Sequence, residues 1–424
     1  MTITNWKKIL LSLGNKYIRT LKLRKNIISR CPFKKYNSSS NNNHTFFGYY
    51  DKTPFSIDDK KILALTVNCK NNPLNIKKTY KATIGYFKIN APEKFYSIGK
   101  TSTWCWQQGC RLMWFPQDEK NFIIYNRLID GNYGSVIQNI NNKEIIKKFN
   151  FPIYDINHNG TFALTLNFSR LQRLRPGYGY TNIEDKTANN PCPDDDGIWI
   201  CNLNKNKKEL IINLKMLGEH ESEESMNGAH HYINHLCLNP EGNRFLFFHL
   251  WMKDGKRYNR GITSDLDGKN FKILNNKGFV SHYCWKNNNE ILIFSSINQK
   301  AKYYLYTDLS DKVQSVTDGI LNKDGHPTYL NNKESIITDT YPSKYLREQS
   351  LILFDKNKLF NISKIFSPLN YAGEVRCDLH PRISRNNRFI CIDVPFSKGR
   401  QIVVFDIKNL AIQQNLWVDS GKNS

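Results

Sequence analysis

The sequence contains no long apolar run, and this absence argues against a membrane-spanning helix. Such a helix needs about 20 consecutive apolar residues, and no segment approaches that length. The apolar stretch Ile9–Leu13 is also too short for a secretory signal, and basic residues follow it closely. The ten cysteines lack the paired spacing of a zinc ribbon, so we expect free thiols. We therefore expect a cytoplasmic protein.

Acidic residues are scarce relative to basic ones, which favours polyanionic partners. The chain has 61 Lys and Arg against 37 Asp and Glu, a net charge of +24 at pH 7. Its first 36 residues hold ten basic residues and no acidic residue. Nucleic acid, anionic lipid and acidic glycans are partners of this charge class. Over the rest of the chain the basic residues are scattered and no nucleic-acid motif occurs, so we expect no nucleic-acid partner.

The N-terminal segment has the spacing of a basic amphipathic helix over residues 5–28. Its apolar residues lie three or four positions apart, and basic residues fill much of the remainder. These apolar residues are Trp6, Ile9, Leu10, Leu13, Tyr17 and Leu21. Such a helix either packs on the side of the following domain or lies on an anionic membrane surface, which would place the protein peripherally on the inner membrane surface. With the linker Ser38–Asn43 it forms a first region, 1–43, ahead of a domain over 44–424.

Helical periodicity is almost absent from that domain, where a polar turn followed by an apolar strand recurs seven times. Asn, Asp and Gly suit the turn because they tolerate positive φ, and Val, Ile and Phe suit a half-buried strand. The turn–strand segments span 56–67, 116–126, 157–167, 239–249, 286–296, 330–340 and 384–394. A further strand follows each of them. Radial repetition of this kind predicts an all-β fold, a seven-bladed β-propeller.

Alignment of the seven units on their turns places histidine at one equivalent position in the last four. Four residues before the turn stand His235, His282, His326 and His380. Arg111 and Lys52 hold this position in the second and first units. The innermost strand of a blade begins here, at one mouth of the channel, so four imidazoles around one axis predict a divalent-metal site. The alternative is a repeat that merely tolerates His-Pro at a strand start.

Strand direction brings further polar residues to the same mouth. The second strand of each blade returns to it and thereby places there Arg127, Arg170, His249 and Asp339–Tyr341. The long insertion 168–196, rich in Arg, Tyr and Gly, would lie over the mouth, and His231 enters just before the fourth unit. Arginine forks bind anions in a bidentate manner. With aromatic rings that stack on sugar faces, they suit a carboxylated or sulfated sugar.

Three segments resemble the TolB-like propeller repeats of oligogalacturonate lyases. They are 234–249, 325–342 and 378–393, within a resemblance that covers roughly residues 44–407. WCWQQGCRLMW at 104–114 and RPGYGY at 175–180 are also similar to propeller proteins related to uronate-cleaving lyases, including ulvan lyases. The resemblance implies a divalent metal, typically manganese, held by three His and a Gln. It also implies cleavage of uronate-containing chains by β-elimination.

The resemblance further implies roles for the residues at the mouth. Manganese or zinc would be held by ligands from His235, His282, His326 and His380, with His249 or Gln108 as a further candidate. The uronate carboxylate would be neutralised by Arg111, Arg127 or Arg170. The base or acid would be His231, Tyr178 or Tyr180. The compact cluster of one Gln and two His of the family's metal site is absent from this sequence.

Two functions of different classes follow from these features. The first is a cytoplasmic, metal-dependent lyase or related enzyme that acts on an acidic, uronate-containing glycan, and the histidine positions favour it. The second is a catalytically silent propeller that binds glycan or organises bacterial-type polysaccharide assembly at a membrane, and the basic N-terminal segment favours it. A glycosidase would need two carboxylates that flank one bond. The neighbours Asp194, Asp195 and Asp196 on one loop do not by themselves meet that requirement.

Overall fold

A computed structural model of the chain shows seven antiparallel sheets, which are the blades of a propeller. The structure describes residues 26–38, 43–68, 80–275, 278–317 and 319–408, together with Leu13 and Leu410. Six sheets have four strands and one has five. Within each blade, consecutive strands run from the innermost to the outer positions. The predicted seven-bladed β-propeller is confirmed.

Two short strands come first in the chain, β1 Ile27–Ser29 and β2 Phe33–Tyr36. Blade 1 then contains β3 Asn43–Phe46, β4 Lys61–Asn68, β5 Ala82–Lys88 and β6 Ala91–Thr101. Blade 2 contains β7 Met113–Trp114, β8 Phe122–Ile129, β9 Asn132–Asn139 and β10 Ile145–Phe149. Blade 3 contains β11 Asp155–Ile156, β12 Phe162–Leu166, β13 Gly197–Asn202 and β14 Lys207–Asn213.

The remaining four blades follow the same order. Blade 4 contains β15 His230–Leu238, β16 Arg244–Lys253, β17 Lys256–Asp265 and β18 Lys272–Asn275. Blade 5 contains β19 Val280–Trp285, β20 Glu290–Ile297, β21 Lys300–Thr307 and β22 Val313–Ser315. Blade 6 contains β23 Thr328–Tyr329, β24 Ile336–Asp339, β25 Glu348–Asp355 and β26 Lys358–Phe366. Blade 7 contains β27 Arg382–Ile383, β28 Phe389–Phe396 and β29 Gly399–Asp406.

The two N-terminal strands complete the last two blades and so close the ring. β1 pairs with β26 and gives blade 6 its fifth strand, while β2 pairs with β29 and gives blade 7 its fourth. The turn–strand repeat alone predicts that the first strand lies near Phe46–Asp51. This prediction is wrong, because Ile27 and Tyr36 already bury their side chains against outer strands. The amphipathic helix predicted over 5–28 lies outside the described residues, except for Leu13 and residues 26–28, of which Ile27 and Ile28 belong to β1.

Asn, Asp and Ser side chains of the repeat explain why the turns form where the sequence places them. The Asn157 side-chain oxygen accepts hydrogen bonds from the backbone N–H groups of Thr161 and Phe162 at 2.9 and 3.0 Å. Asn239 holds Asn243 N–H in the same way at 3.0 Å. These side chains satisfy the turn's backbone donors locally. The apolar residues after the turn then enter the packed layers between neighbouring sheets.

Apart from the single helical residue Leu13, the helices that the structure describes lie in connections at the histidine-bearing mouth. They are α1 Phe168–Leu174 and α2 Leu214–Glu219, with two 3₁₀ turns at Glu224–Met226 and Gly373–Val375. Among the described residues no helix combines the length and apolar character needed to cross a membrane. The long insertion thus begins with α1 and forms ordered structure above blade 3.

Candidate functional site

Three of the four repeat-position histidines meet at the mouth of the channel. The imidazole centroids of His282 and His326 lie 4.0 Å apart, and those of His326 and His380 lie 4.4 Å apart. All three side chains are buried. They come from blades 5, 6 and 7, at or just before the innermost strands β19, β23 and β27. The repeat alignment therefore identified three side chains that the fold brings together; we name them the histidine cluster.

Each ring of the histidine cluster has one nitrogen engaged by an acceptor. His282 Nδ1 lies 2.9 Å from a carboxylate oxygen of Asp324, and His326 Nδ1 lies 2.8 Å from one of Asp339. His380 Nδ1 lies 2.8 Å from the carbonyl oxygen of Gly48. An acceptor at Nδ1 places the proton there and leaves the lone pair on Nε2. Metal-binding histidines are commonly oriented by such outer partners.

Two ring nitrogens of the histidine cluster are placed where they could hold a cation. Nε2 of His326 and Nε2 of His380 are buried and have no hydrogen-bond partner among the described residues. A buried polar atom without a partner is costly, so a ligand that satisfies both is expected. Potential ligand atoms of His326, His380 and the buried carboxylate of Asp378 all lie within 4.8 Å of one another. Two imidazoles and a carboxylate fit a divalent ion such as manganese or zinc.

Electrostatics keep two rings of the histidine cluster neutral. Burial, followed by the neighbouring His326, lowers the pKa of both His282 and His380. Burial also lowers the pKa of His326, but the Asp339 carboxylate outweighs it, so the pKa of this ring is raised. A cation that binds His326 must therefore displace the proton that Asp339 favours. Affinity for the ion should accordingly rise with pH.

His235, the fourth repeat-position histidine, lies near the cluster but in a different hydrogen-bonding state. Its Nε2 faces Asn234 Nδ2 at 3.1 Å. The Asn234 side-chain oxygen accepts bonds from Gln108 and Tyr154, which fixes the NH₂ group towards His235. The ring stacks on Tyr49 with centroids 5.2 Å apart. The lone pair of His235 is thus engaged, and Gln108 donates to protein oxygens rather than joining the ligand atoms.

His249 and His231 form a separate buried pair in blade 4, so the structure does not bring His249 to the histidine cluster. His249 Nε2 and His231 Nδ1 lie 2.8 Å apart. Arg260 Nε donates to His249 Nδ1 at 3.2 Å, and the other His231 nitrogen lies 3.2 Å from the Met226 carbonyl. Every ring nitrogen therefore has a partner, which leaves no lone pair for a metal. Burial lowers the pKa of His231 to about 4.

Two of the predicted carboxylate-binding arginines instead make hydrogen bonds within the protein. Arg111 donates from Nη1 and Nη2 to Asp51 at 3.1 and 2.7 Å and from Nε to the Tyr154 carbonyl at 2.7 Å. Arg170 donates to the carbonyl oxygens of His231, Thr187, Asn190 and Pro191. Both side chains are buried. All five N–H donors of Arg170 are engaged, and the Arg111 guanidinium is paired with Asp51 and only 2% exposed.

Arg127 and Tyr180 lie on the blade 2 side of the insertion. Arg127 is half-buried on β8 and interacts with Tyr125, whose pKa is raised to about 12 because burial exceeds the opposing effect of Arg127. Tyr180 stacks on Phe168 with centroids 4.3 Å apart, and its hydroxyl accepts a bond from Asn126 at 2.9 Å. Both contacts are with neighbouring structural residues. They do not place either side chain in the histidine cluster.

Tyr178 brings the insertion close to the histidines. Its ring lies 6.1 Å from His235 and 6.4 Å from Tyr49 between centroids. Its hydroxyl accepts a hydrogen bond from Arg376 Nη2 at 3.3 Å. The guanidinium carbon of Arg175 lies 4.5 Å from the centroid of the Tyr178 ring. The insertion therefore supplies an aromatic wall and a cation close to the histidines.

Sequence reasoning placed Tyr341 at the mouth but missed Arg376 and Tyr49, which also surround the histidine cluster. Arg376 pairs with Asp378 at 2.7 Å and lies over the Tyr341 ring at 5.3 Å. Tyr341 Oη is 3.4 Å from His282 Nε2. Tyr49 contacts His326 and His380 edge-on, and its buried hydroxyl has no partner among the described residues. Burial raises the pKa of Tyr49 and of Tyr341 well above the usual range, so both stay protonated.

Comparisons with known proteins agree on the fold. An oligogalacturonate lyase from Vibrio parahaemolyticus is 9% identical, with a TM-score of 0.61 over 91% of this chain and 99% of that one. An oligogalacturonate lyase in complex with manganese is 11% identical, with a TM-score of 0.62 over 90% and 97%. No family model matches the sequence, and no curated protein does. At such low identity the likeness establishes the propeller fold and no more.

Proposed function

We propose that this protein is a metal-dependent lyase that cleaves an acidic, uronate-containing glycan by β-elimination. The observation that carries the proposal is the histidine cluster, with Nδ1 of each ring held by an acceptor and two buried Nε2 atoms left open beside Asp378. A manganese complex of a lyase with the same fold supports it.

His326, His380 and Asp378 would hold a divalent ion, manganese or zinc. Asp339 supports this set, since it accepts bonds from His326 Nδ1 at 2.8 Å and from the His380 backbone N–H at 3.1 Å. When bound, the ion supplies positive charge that stabilises the carboxylate as negative charge develops beside it. The protein's own contribution is a rigid, largely buried ligand set at the start of two innermost strands.

Arg376 and Arg175 replace the predicted Arg111 and Arg170 as the cations that bind the uronate carboxylate. Arg376 has a side chain 29% exposed, so it reaches solvent at the mouth while it pairs with Asp378. Arg175 is half-buried, and its Nε has no partner among the described residues. A guanidinium with a spare donor is suited to a bidentate or shared carboxylate contact. The two arginines enter from opposite loops and both contact Tyr178.

His282 is the base of this proposal, and Asp324 orients it. The Asp324 carboxylate accepts from Nδ1, so Nε2 keeps the lone pair that takes the C5 proton. The C4–O4 bond then breaks, a C4–C5 double bond forms, and a phenolic proton passes to the leaving O4. Tyr341 lies 3.4 Å from His282 Nε2 and stays protonated because burial raises its pKa. Solvent then restores both groups to their starting protonation.

Absorbance tests this assignment, because β-elimination creates an unsaturated uronate that absorbs in the near ultraviolet. With manganese present, a panel of uronate oligosaccharides should include one whose absorbance rises, and a chelator should abolish the rise. His282→Gln should lower turnover at least a hundredfold while the protein retains its metal. His380→Ala should lose metal and turnover together. His158→Gln, on an exposed turn, is the matched control and should behave as the wild type.

The closed ion pair between Arg376 and Asp378 favours the second candidate, a propeller that binds acidic glycan without cleaving it. The contact neutralises the charge of Arg376, and it also occupies the carboxylate of Asp378, a candidate metal ligand. In that case the protein would organise glycan or its assembly enzymes, with residues 5–28 as the contact to an anionic membrane surface. Uronate oligomers that bind in a metal-independent manner and are never cleaved would select this alternative.

A further inference from the structure

Two loops beside the site carry an exposed apolar ledge. One is 341–347, between β24 and β25, and the other is 367–371, after β26. The ledge consists of Tyr345, Leu346 and Leu369, which are 43%, 44% and 51% exposed. Large apolar side chains that cluster at the rim of a site commonly mark a binding surface.

Arg347 holds the two loops together, so the ledge has a fixed shape. Its Nε donates to the Ser367 carbonyl at 3.2 Å, and its Nη2 donates to the Ser367 hydroxyl at 3.3 Å and to the Tyr371 carbonyl at 3.2 Å. The backbone N–H of Ser367 donates back to the Arg347 carbonyl at 2.8 Å. A surface ordered before it meets its ligand loses less conformational entropy on binding.

The ledge is joined along the chain to the proposed active site through Tyr341. This residue begins the first loop and contacts His282 and Arg376. Tyr345 stands four positions after Tyr341, so their backbones are at most about 14 Å apart. Lys344 and Tyr345 are therefore within reach of an oligosaccharide that extends a few sugar residues from the histidine cluster.

Lys344 and Tyr345 together offer what one further uronate residue needs. The Lys344 ammonium lies 5.6 Å from the Tyr345 ring centroid. A pyranose ring presents an apolar C–H face that packs on an aromatic ring, and its carboxylate requires a cation. The net charge of +24 adds attraction for a polyanion.

We propose that the ledge and Lys344 form an outer subsite that binds an acidic oligosaccharide beyond the bond to be cleaved. This inference rests on the proposed function, because it assigns a longer uronate chain to the same mouth. The protein would accordingly prefer oligomers over the disaccharide. Length selection would reside in two outer loops of blade 6, on residues that are not metal ligands.

Calorimetric titration of the full-length protein with uronate oligomers of increasing length tests the subsite. For Tyr345→Ala and for Lys344→Ala, affinity for the long oligomers should fall about fivefold to tenfold relative to affinity for the disaccharide. Leu309→Ala is the matched control, since Leu309 is 60% exposed and lies in the turn between β21 and β22 at the opposite face. It should change no affinity.

The outcomes separate this inference from the proposed function. If the wild type binds or cleaves uronates but the Tyr345 and Lys344 variants keep its length preference, the subsite is wrong and the proposed function stands. If the wild type neither binds nor cleaves any uronate oligomer, both fail together. Binding to anionic lipid vesicles that Tyr345→Ala and Lys344→Ala abolish would instead make the ledge a membrane contact and overturn the inference.

Discussion

Replacement of Arg111 tests whether this arginine stabilises the fold or binds the substrate. The sequence predicts Arg111 as a cation for the uronate carboxylate, whereas the structure pairs it with Asp51. Both side chains are only 2% exposed. Arg111→Met removes the positive charge and roughly keeps the volume. It therefore leaves the Asp51 carboxylate buried without a counter-ion.

The expected loss is about 3–5 kcal/mol of unfolding free energy, the usual cost of removing one partner from a buried pair. This loss includes the two hydrogen bonds to Asp51, and the bond to the Tyr154 carbonyl is lost in addition. The double variant Asp51→Asn with Arg111→Met should regain most of this loss, because a neutral pair no longer strands a charge in the interior. Non-additivity between the single variants measures the coupling.

Urea denaturation followed by tryptophan fluorescence measures both quantities, and turnover is measured on the fraction that stays folded. The structure predicts a large drop in the urea midpoint for Arg111→Met and partial recovery in the double variant. It predicts little change in KM for folded protein. An Arg111→Met protein as stable as the wild type but deficient in turnover would refute the structural role and restore the role first predicted for Arg111.

Three further results are expected. Burial lowers the pKa of His44 to about 4, so the unfolded state binds more protons than the folded state between pH 4 and about 6.5. The free energy of unfolding should therefore fall as the pH drops through that window, by about 3 kcal/mol at its lower end. In His44→Gln, the denaturation midpoint should depend less steeply on pH. Arg170→Met should release the 168–196 insertion, detected as new proteolytic cleavage there, because four carbonyl acceptors lose their donor. His235→Gln should leave manganese content unchanged, measured by elemental analysis, because the lone pair of His235 already faces Asn234.

The sequence predicted the blades because the information for each is local. A turn such as that at Asn239 is formed by contacts within a few residues, and it repeats seven times. The histidine cluster was also accessible, since equivalent repeat positions lie at equivalent places around the channel. The sequence did not predict the N-terminal edge strands. β1 and β2 pair with β26 and β29, more than 300 residues away, and no local sequence pattern indicates that pairing.

The roles of the arginines could not be predicted from the sequence for a related reason. Whether a guanidinium is free depends on what the fold places around it, and Arg111 meets Asp51 while Arg376 remains partly exposed. His249 was misplaced for another reason. Its strand does return to the mouth, but its side chain lies inside blade 4 against His231. Successive side chains along a strand point to opposite faces of the sheet, so a shift of one residue reverses the direction in which a side chain points.

Metal content of the purified protein tests the central claim most directly. The wild type, equilibrated with manganese and then desalted, should retain about one ion per chain. A variant with His326→Ala and His380→Ala should retain none, while His158→Gln and His282→Gln should retain the wild-type amount. A wild type that retains no divalent ion under these conditions, or a double variant that retains as much as the wild type, would contradict the account.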